Sequence, residues 1–516
     1  MKVQRYKYLK NKFLPLFLFS LIAGIFTGAV IFLFKLASSY VISISGQIYA
    51  FVRSEVIYIP LLVIGAGIVG FLASLILRFV PDCRGGGMPS SIAALRDQVP
   101  IMHLVSLPFV FVSSLLTYIC GVPLGTEGPS VQMGTMVGWL TSRVLSQKNR
   151  VLRRYVMTGG ACAGFAAATG APLTGMLFAF EEVHLKFTPM IFMSASLTVA
   201  ASSVVTEILC SLAGISSKMF DFSINFVMDI KYVWIAVIIG LVCGVFAMFF
   251  TNIYRKISRF LGKRINKLPF SLRISMIFVI VSLIGVVFAE CIGTGHHLTE
   301  ELLKGHGVWY LIIIFLLVRT LLLVVANSQG VTGGLFIPTL AFGAMIGALC
   351  GKGMVAVGFL PQEYYIVTVV IGMTAFLAAS SRIPLIALAF SLEALAGLSN
   401  FLPISIGVAV AYATIEFIGV VSFHDAIVER KIENFNKGRE IFETEVELIV
   451  KPDSFVIGQE VRDVFWPADC VVVSVIKNPD LPHHTSLAEG DLLQVHYKTT
   501  HPRYTEDRLE ELVGKQ

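Results

Sequence analysis

The chain has 516 residues, 56% of them hydrophobic and 14% charged, with a mean hydropathy of +0.80 and a formal net charge of +7. A soluble globular chain carries about 25% charged residues, so this composition excludes an ordinary soluble enzyme and describes a polytopic membrane protein. The positive charge is gathered into basic stretches that abut apolar spans, at Lys2 to Lys12, Arg143 to Arg154 and Arg255 to Lys267. That is the pattern of cytoplasmic loops rather than of a nucleic-acid surface.

From the N-terminus, a first apolar stretch at about 14–36 follows the basic start with no small-residue cleavage site, and reads as a retained helix rather than a signal peptide. Further spans fall near 57–80, 104–124, 130–145, 155–181, 190–214, 231–251, 271–292, 309–326, 337–358, 364–380, 383–397 and 402–421. Several are too short to cross straight, so broken or re-entrant helices are expected, as in transporters with discontinuous helices. Gly65, Gly67 and Gly70 satisfy GxGxxG, but they lie inside a span with no βαβ context and read as close helix packing. The eight cysteines are scattered without CxxC or metal-ligand spacing and read as packing residues. No phosphate-loop, HExxH or nucleophile-elbow pattern occurs, so neither an enzyme, a cofactor nor a metal site is expected.

The texture changes at about residue 430. Residues 431–439 are polar and linker-like. Ile441 to Tyr497 then alternates β-branched runs at 445–450, 470–476 and 492–497, as in a small β-rich domain. The tail from Thr505 closes this domain as a short helix or frays. His483 and His484 fall in a loop and read as surface residues. The division is therefore a membrane domain over 1–430 and a small α+β domain over 440–500.

Three glycine- and proline-rich breaks interrupt the membrane sequence: Gly85-Gly86-Gly87-Met88-Pro89, Gly125-Thr126-Glu127-Gly128-Pro129 and Gly333-Gly334-Leu335-Phe336-Ile337-Pro338. Irregular backbone survives in lipid only where protein buries it or a watery cavity bathes it. The last two breaks start long apolar runs, and a helix start offers free N–H groups and partial positive charge, a natural anion site. A repeat joins them. Phe165 to Leu173 followed by Glu181 resembles Phe376 to Leu385 followed by Glu393, with nine residues from Pro172 to Glu181 and from Pro384 to Glu393. Two halves of one plan place a site at their interface. Glu181 and Glu182, on residue type alone, are solvated helix-end carboxylates; Arg382 and Glu393 are candidates to pair within the second half.

These breaks, in this order and with the proline-bearing repeats, resemble the CLC family of chloride channels and proton-coupled exchangers over about residues 15 to 430. The resemblance implies an all-α membrane bundle of tilted and broken helices in two inverted halves. It also implies a homodimer with one anion path per subunit. It makes Glu127 the gating glutamate and Glu182 the inner proton-transfer glutamate, a residue channel members generally lack. Glu181 is left to a dimer contact or helix-end electrostatics. The implied anion ligands are Gly86, Gly87, Met88, Thr126, Gly128, Leu335 and Phe336. Two positions depart from the pattern. Gly86 stands where many members have the serine of GSGIP, and His424 falls in the slot of the family's tyrosine. His424 could bind the anion or be a solvated residue where the helix leaves the membrane. The C-terminal region resembles the TrkA-C type of regulatory domain through its short strands, the Leu487-to-Leu493 turn and the Val471-to-Ile476 strand, which implies a ligand-sensing or dimerising module.

The expected function is exchange of chloride, or a similar small anion, for protons across a cell membrane, with both termini cytoplasmic. The partners are the anion, protons and the lipid bilayer, with a small ligand for the C-terminal domain left open and no nucleic acid. A passive gated channel, voltage- or ligand-regulated, is the alternative, as is exchange of fluoride or nitrate.

Overall fold

The computed structural model describes residues 12–99, 106–145, 150–220, 222, 224, 226–395, 397–452, 454–468, 470–479, 481 and 485–514. His483, His484 and the basic residues 2–11 lie outside the described residues. Nine helices are long and apolar enough to cross a membrane, among the described residues. The first half comprises α1 (Leu14–Ser54), α2 (Ile59–Phe79), α3 (Met88–Leu95), α4 (Ser106–Ile119), α5 (Glu127–Leu145), α6 (Arg150–Thr169), α7 (Pro172–Phe178) and α8 (Pro189–Ala213). The second comprises α9 (Trp234–Arg264), α10 (Phe270–Val287), α11 (His296–Leu303), α12 (Trp309–Ser328), α13 (Phe336–Ala356), α14 (Tyr365–Ser381), α15 (Pro384–Ala394), α16 (Phe401–Ile418) and α17 (Phe423–Asn436).

The expected first span is longer than its apolar pattern. α1 runs for 41 residues, because the polar Ser38, Ser39 and Ser45 that blur the pattern face protein or a cavity rather than interrupting the helix. The expected 155–181 span is broken instead. Gly170 turns the chain at φ +68° and Pro172 opens α7, since proline has no N–H to spend inside a helix. Gly70 lies against α10, where an added Cβ would come within 2.7 Å of Ser275 Cα, so its small size serves packing.

The two halves repeat one another in contact as well as order. α5 packs along α6 and α13 along α14. In each pair two glycines let the backbones touch, Gly134 with Gly160 and Gly343 with Gly372. α7 and α15 meet at the interface of the halves, and their glutamates cross it. Glu181 accepts the N–H groups of Leu385 (2.8 Å) and Ile386 (2.6 Å), while Glu393 accepts those of Leu173 (2.7 Å) and Thr174 (2.8 Å). Each repeat therefore caps the other's proline-led helix, which supplies the orphan donors of a first turn with a charged acceptor. The expected pairing of Arg382 with Glu393 does not form. Glu393 is committed to the first half, and Arg382 pairs with Glu416 at 3.4 Å.

Beyond α17, β1 (Phe442–Ile449), β2 (Cys470–Ile476) and β3 (Leu492–Thr499) form an antiparallel sheet in the order β1-β3-β2. The tail closes as α18 (Pro502–Val513). Leu493, Val495 and Tyr497 alternate inward along β3 and pack with Leu448, Leu509 and Leu512. This α+β unit docks on the membrane bundle through buried polar groups. The Arg154 guanidinium, buried at the start of α6, donates to Leu95 O (2.9 Å), Phe465 O (3.2 Å) and Trp466 O (3.3 Å), and lies 3.9 Å from Asp97. Phe465 stacks on Tyr155 and on His184, both with centroids at 4.3 Å. Removing one side of such a buried charged network costs about 3 kcal/mol or more. Arg154→Met is therefore expected to loosen the C-terminal unit, and trypsin cleavage after Lys437 and Arg439 should become faster than in the unaltered protein.

Candidate functional site

The three breaks meet. Gly125 and Gly334 exchange both backbone hydrogen bonds, N–H to O at 2.7 and 2.6 Å, an isolated two-residue bridge between the halves. Gly85 and Gly333 join the same knot, since Gly85 donates to Gly330 O (3.0 Å) and Gly333 to Gly85 O (3.4 Å). Tyr118 Oη adds a bond to Gly125 O at 2.8 Å. The approach is so close that a Cβ on Gly128 would overlap Gly86 O and lie 2.8 Å from Gly334 Cα. Gly87 sits at φ +70°, a conformation that a side chain would strain, and it starts α3.

Three helix starts thus face a common centre, and α5 and α13 bring Glu127 to it. The Glu127 side chain is fully buried, its Oε2 without a hydrogen-bond partner among the described residues, and the carboxyl group faces its own N–H and that of Ile337, in the first turn of α13. Thr126 Oγ1 lies 3.4 Å from Oε1. The carboxyl group therefore stands before donors that a helix start would otherwise offer to an anion. Phe336 anchors this end of α13, packed edge-on against Phe165 (5.0 Å) and Phe390 (5.1 Å) from opposite halves.

The implied anion ligands are brought together here with one difference. Among the described residues the N–H groups of Gly86, Gly87, Leu335 and Phe336 have no backbone acceptor, whereas that of Met88 is already donated to Gly86 O at 2.7 Å. The tight turn that aims Gly86 and Gly87 inward consumes it. Thr126 and Ile337 line the floor of a cavity of about 860 Å³, whose walls include Lys35, Arg53, Lys218 and His296. Tyr49 and Arg53, near the end of α1, face this cavity, while Lys12, just before its start, donates to Phe455 O (2.5 Å) and Ile457 O (2.9 Å) of the C-terminal unit. A 41-residue helix spans about 60 Å, so vestibule and C-terminal unit lie at opposite ends of the molecule.

Glu182 sits in a π-helical turn, Ala179–Val183, after α7. It is buried, and its Oε1 lies 2.9 Å from His424 Nδ1 at the start of α17. Arg96 holds the turn from behind, donating to Glu182 O and Val183 O, both at 2.8 Å. Neither glutamate of the pair is the solvated helix end that residue type suggested. Sequence reasoning missed Ile337, Tyr118, Arg96 and Arg154. Each acts through a main-chain N–H or C=O, which leaves no motif; only the basic charge of Arg96 and Arg154 beside apolar runs could have drawn notice.

Residues 69–416 match the model of the voltage gated chloride channel family. The chain belongs to that family. Among relatives in this CLC family, the H(+)/Cl(-) exchange transporters ClcA of Salmonella paratyphi B and of Citrobacter koseri are each 28% identical over 432 residues, covering 81% of this chain and 89% of theirs. Among solved structures, a slow cyanobacterial Cl-/H+ antiporter superposes with a TM-score of 0.74 at 21% identity, covering 82% of this chain and 99% of that one. A CLC-type fluoride/proton antiporter gives 0.65 at 21% identity, covering 78% and 95%. The CLC match ends before β1, so the C-terminal unit stands outside it.

Proposed function

We propose that this membrane protein exchanges chloride, or a similar small anion, for protons, with Glu127 as gate and Glu182 as inner proton site. The observation that carries this reading is the place of the Glu127 carboxylate. It stands before the donors of a helix start, at the floor of a vestibule, where the breaks of both halves converge. An anion and this carboxylate compete for the same N–H groups. Protonation removes the side chain's charge and its hold on them, so release of the gate and entry of the anion become linked to proton uptake. The anion's ligands are the amides of Gly86, Gly87, Leu335 and Phe336, with Thr126 and Gly128 beside them. The ClcA relatives carry H(+)/Cl(-) exchange in their name, which supports the same assignment.

The basic stretches, and the contact of Lys12 with the C-terminal unit, support cytoplasmic termini and an outward-facing vestibule. The resemblance supports a homodimer of two-halved subunits over 1–430, and a TrkA-C-like regulatory module at 440–500 that takes a small ligand. With Gly86 in place of a serine, no hydroxyl at that position selects the anion; competition among chloride, fluoride and nitrate in a flux assay identifies it.

In liposomes holding a chloride gradient, the protein is expected to drive uphill proton movement. Glu182→Gln should reduce that proton flux by at least about a hundredfold while anion flux continues, because the amide cannot take up and release a proton. Chloride flux with no protons in the unaltered protein would mark a passive channel instead, and full proton flux in Glu182→Gln would move the inner proton site to another residue.

A further inference from the structure

The start of α17 brings a titratable ring to the inner glutamate. Ser422 caps this helix by accepting the Asp425 N–H at 3.0 Å, which fixes Phe423 and His424 in its first turn. Phe423 is held edge-on by Phe250 (4.6 Å) and Tyr254 (4.9 Å) of α9. His424 meets Glu182 at 2.9 Å, the two side chains being 2% and 6% exposed. The hydrogen bond therefore lies away from bulk solvent, where its strength is not diluted by water.

Glu182 is only half satisfied. Its Oε1 has the imidazole, while Oε2 is buried with no hydrogen-bond partner among the described residues. Arg96 does not supply one. Its guanidinium goes to the main-chain carbonyls of Glu182 and Val183, and its remaining reach is to Asp425 at 3.5 Å. A buried carboxylate oxygen left open is costly unless a proton or water visits it. The other ionisable groups around the pair, among the described residues, are engaged elsewhere, and Glu181, the neighbour of Glu182, accepts the N–H groups of Leu385 and Ile386. Asp425 faces Arg96, Lys431 further along α17 bonds Ser90 on α3, and Glu429 pairs with Arg255 on α9 at 3.5 Å. On α9, Tyr254 packs on Phe423. α14, which also packs on α17, carries no titratable side chain beyond Tyr365 at its far end. His184, near the turn, bonds Thr158 at 2.8 Å. His424 is thus the titratable group in direct contact with the Glu182 carboxylate.

We infer that His424 carries the transported proton jointly with Glu182, so that the inner proton site of this chain is a carboxylate–imidazole pair. The inference rests on Glu182 being the inner proton site. With the carboxylate ionised and the imidazole neutral, its proton on Nδ1, the pair has net charge −1. A proton taken up at Nε2 makes an imidazolium and brings the pair to zero. Passage of the Nδ1 proton to Oε1 moves that charge without further uptake, leaving a neutral ring and a carboxyl. Release of one proton restores −1.

His424→Asn tests this, since the amide N–H can replace the Nδ1 donor while being unable to titrate. In liposomes, His424→Asn is expected to keep anion flux and to lose about tenfold or more of proton flux. The dependence of proton flux on pH should flatten with it, because the amide takes up no proton. Wild-type proton flux and pH profile in His424→Asn would overturn the inference, and so would an equal loss of both fluxes, which would make His424 a structural support. Glu182→Gln run in parallel separates the failures. If it abolishes proton flux while His424→Asn does not, only the pair is wrong; if the unaltered protein moves no protons, the exchanger reading itself falls.

Discussion

Glu127→Gln is expected to uncouple the two transported species: anion flux persists and ceases to depend on pH, while proton flux falls at least about a hundredfold. The argument is one of charge and shape. Glutamine is close in size to the protonated glutamate, so the fully buried side chain still fits at the start of α5. It brings no negative charge to the N–H groups at the start of α13, and a charge-assisted hydrogen bond is roughly twice as strong as a neutral one. An anion therefore displaces the amide more readily than the carboxylate. Because the amide does not titrate, the gate no longer needs a proton to leave. Simultaneous chloride-electrode and pH-electrode recording from liposomes checks both halves of this statement. Proton flux surviving in Glu127→Gln would move the outer proton site to another residue.

The breaks were legible because irregular backbone in a membrane has so few uses. GGGMP, GTEGP and GGLFIP each violate the helical pattern, and the structure draws all three into one knot through Gly85, Gly125, Gly128, Gly333 and Gly334. The repeat was legible from the nine-residue spacing of proline to glutamate, but its consequence was not. Nothing in either copy says that Glu181 caps α15 and Glu393 caps α7, because capping across a two-fold-like interface depends on where the other half stands. Met88 shows a finer limit. Its N–H is aimed and spent by a local turn that side-chain identities do not encode. His424 was recognised as an odd residue in a familiar slot, yet its contact with Glu182 joins positions 242 apart in sequence. The docking of the C-terminal unit was invisible for the same reason, since Arg154 reaches it through main-chain carbonyls.

The knot also predicts the most damaging small substitution in the chain. Gly128→Ala adds one methyl group where Gly86 O and Gly334 Cα already touch the glycine. The neighbours are backbone of the other two breaks, held by the Gly125–Gly334 bonds, and cannot rotate aside as a flexible side chain would. To admit the methyl, the breaks must part, which costs about 3 kcal/mol by overpacking alone and displaces the amides of Gly86, Gly87, Leu335 and Phe336 together. Anion flux is expected to disappear even in protein that still inserts and purifies as a folded species. Gly262→Ala is the matched control. It adds the same methyl group within a helix, at α9, where nothing lies within 4 Å, and alanine's better helix propensity should leave stability unchanged or raise it by up to about 1 kcal/mol. Flux and thermal unfolding of the two variants, side by side, separate the geometry of the knot from any general effect of losing a glycine. Normal flux in Gly128→Ala would mean that the three breaks do not converge as closely as Gly86 and Gly128 place them.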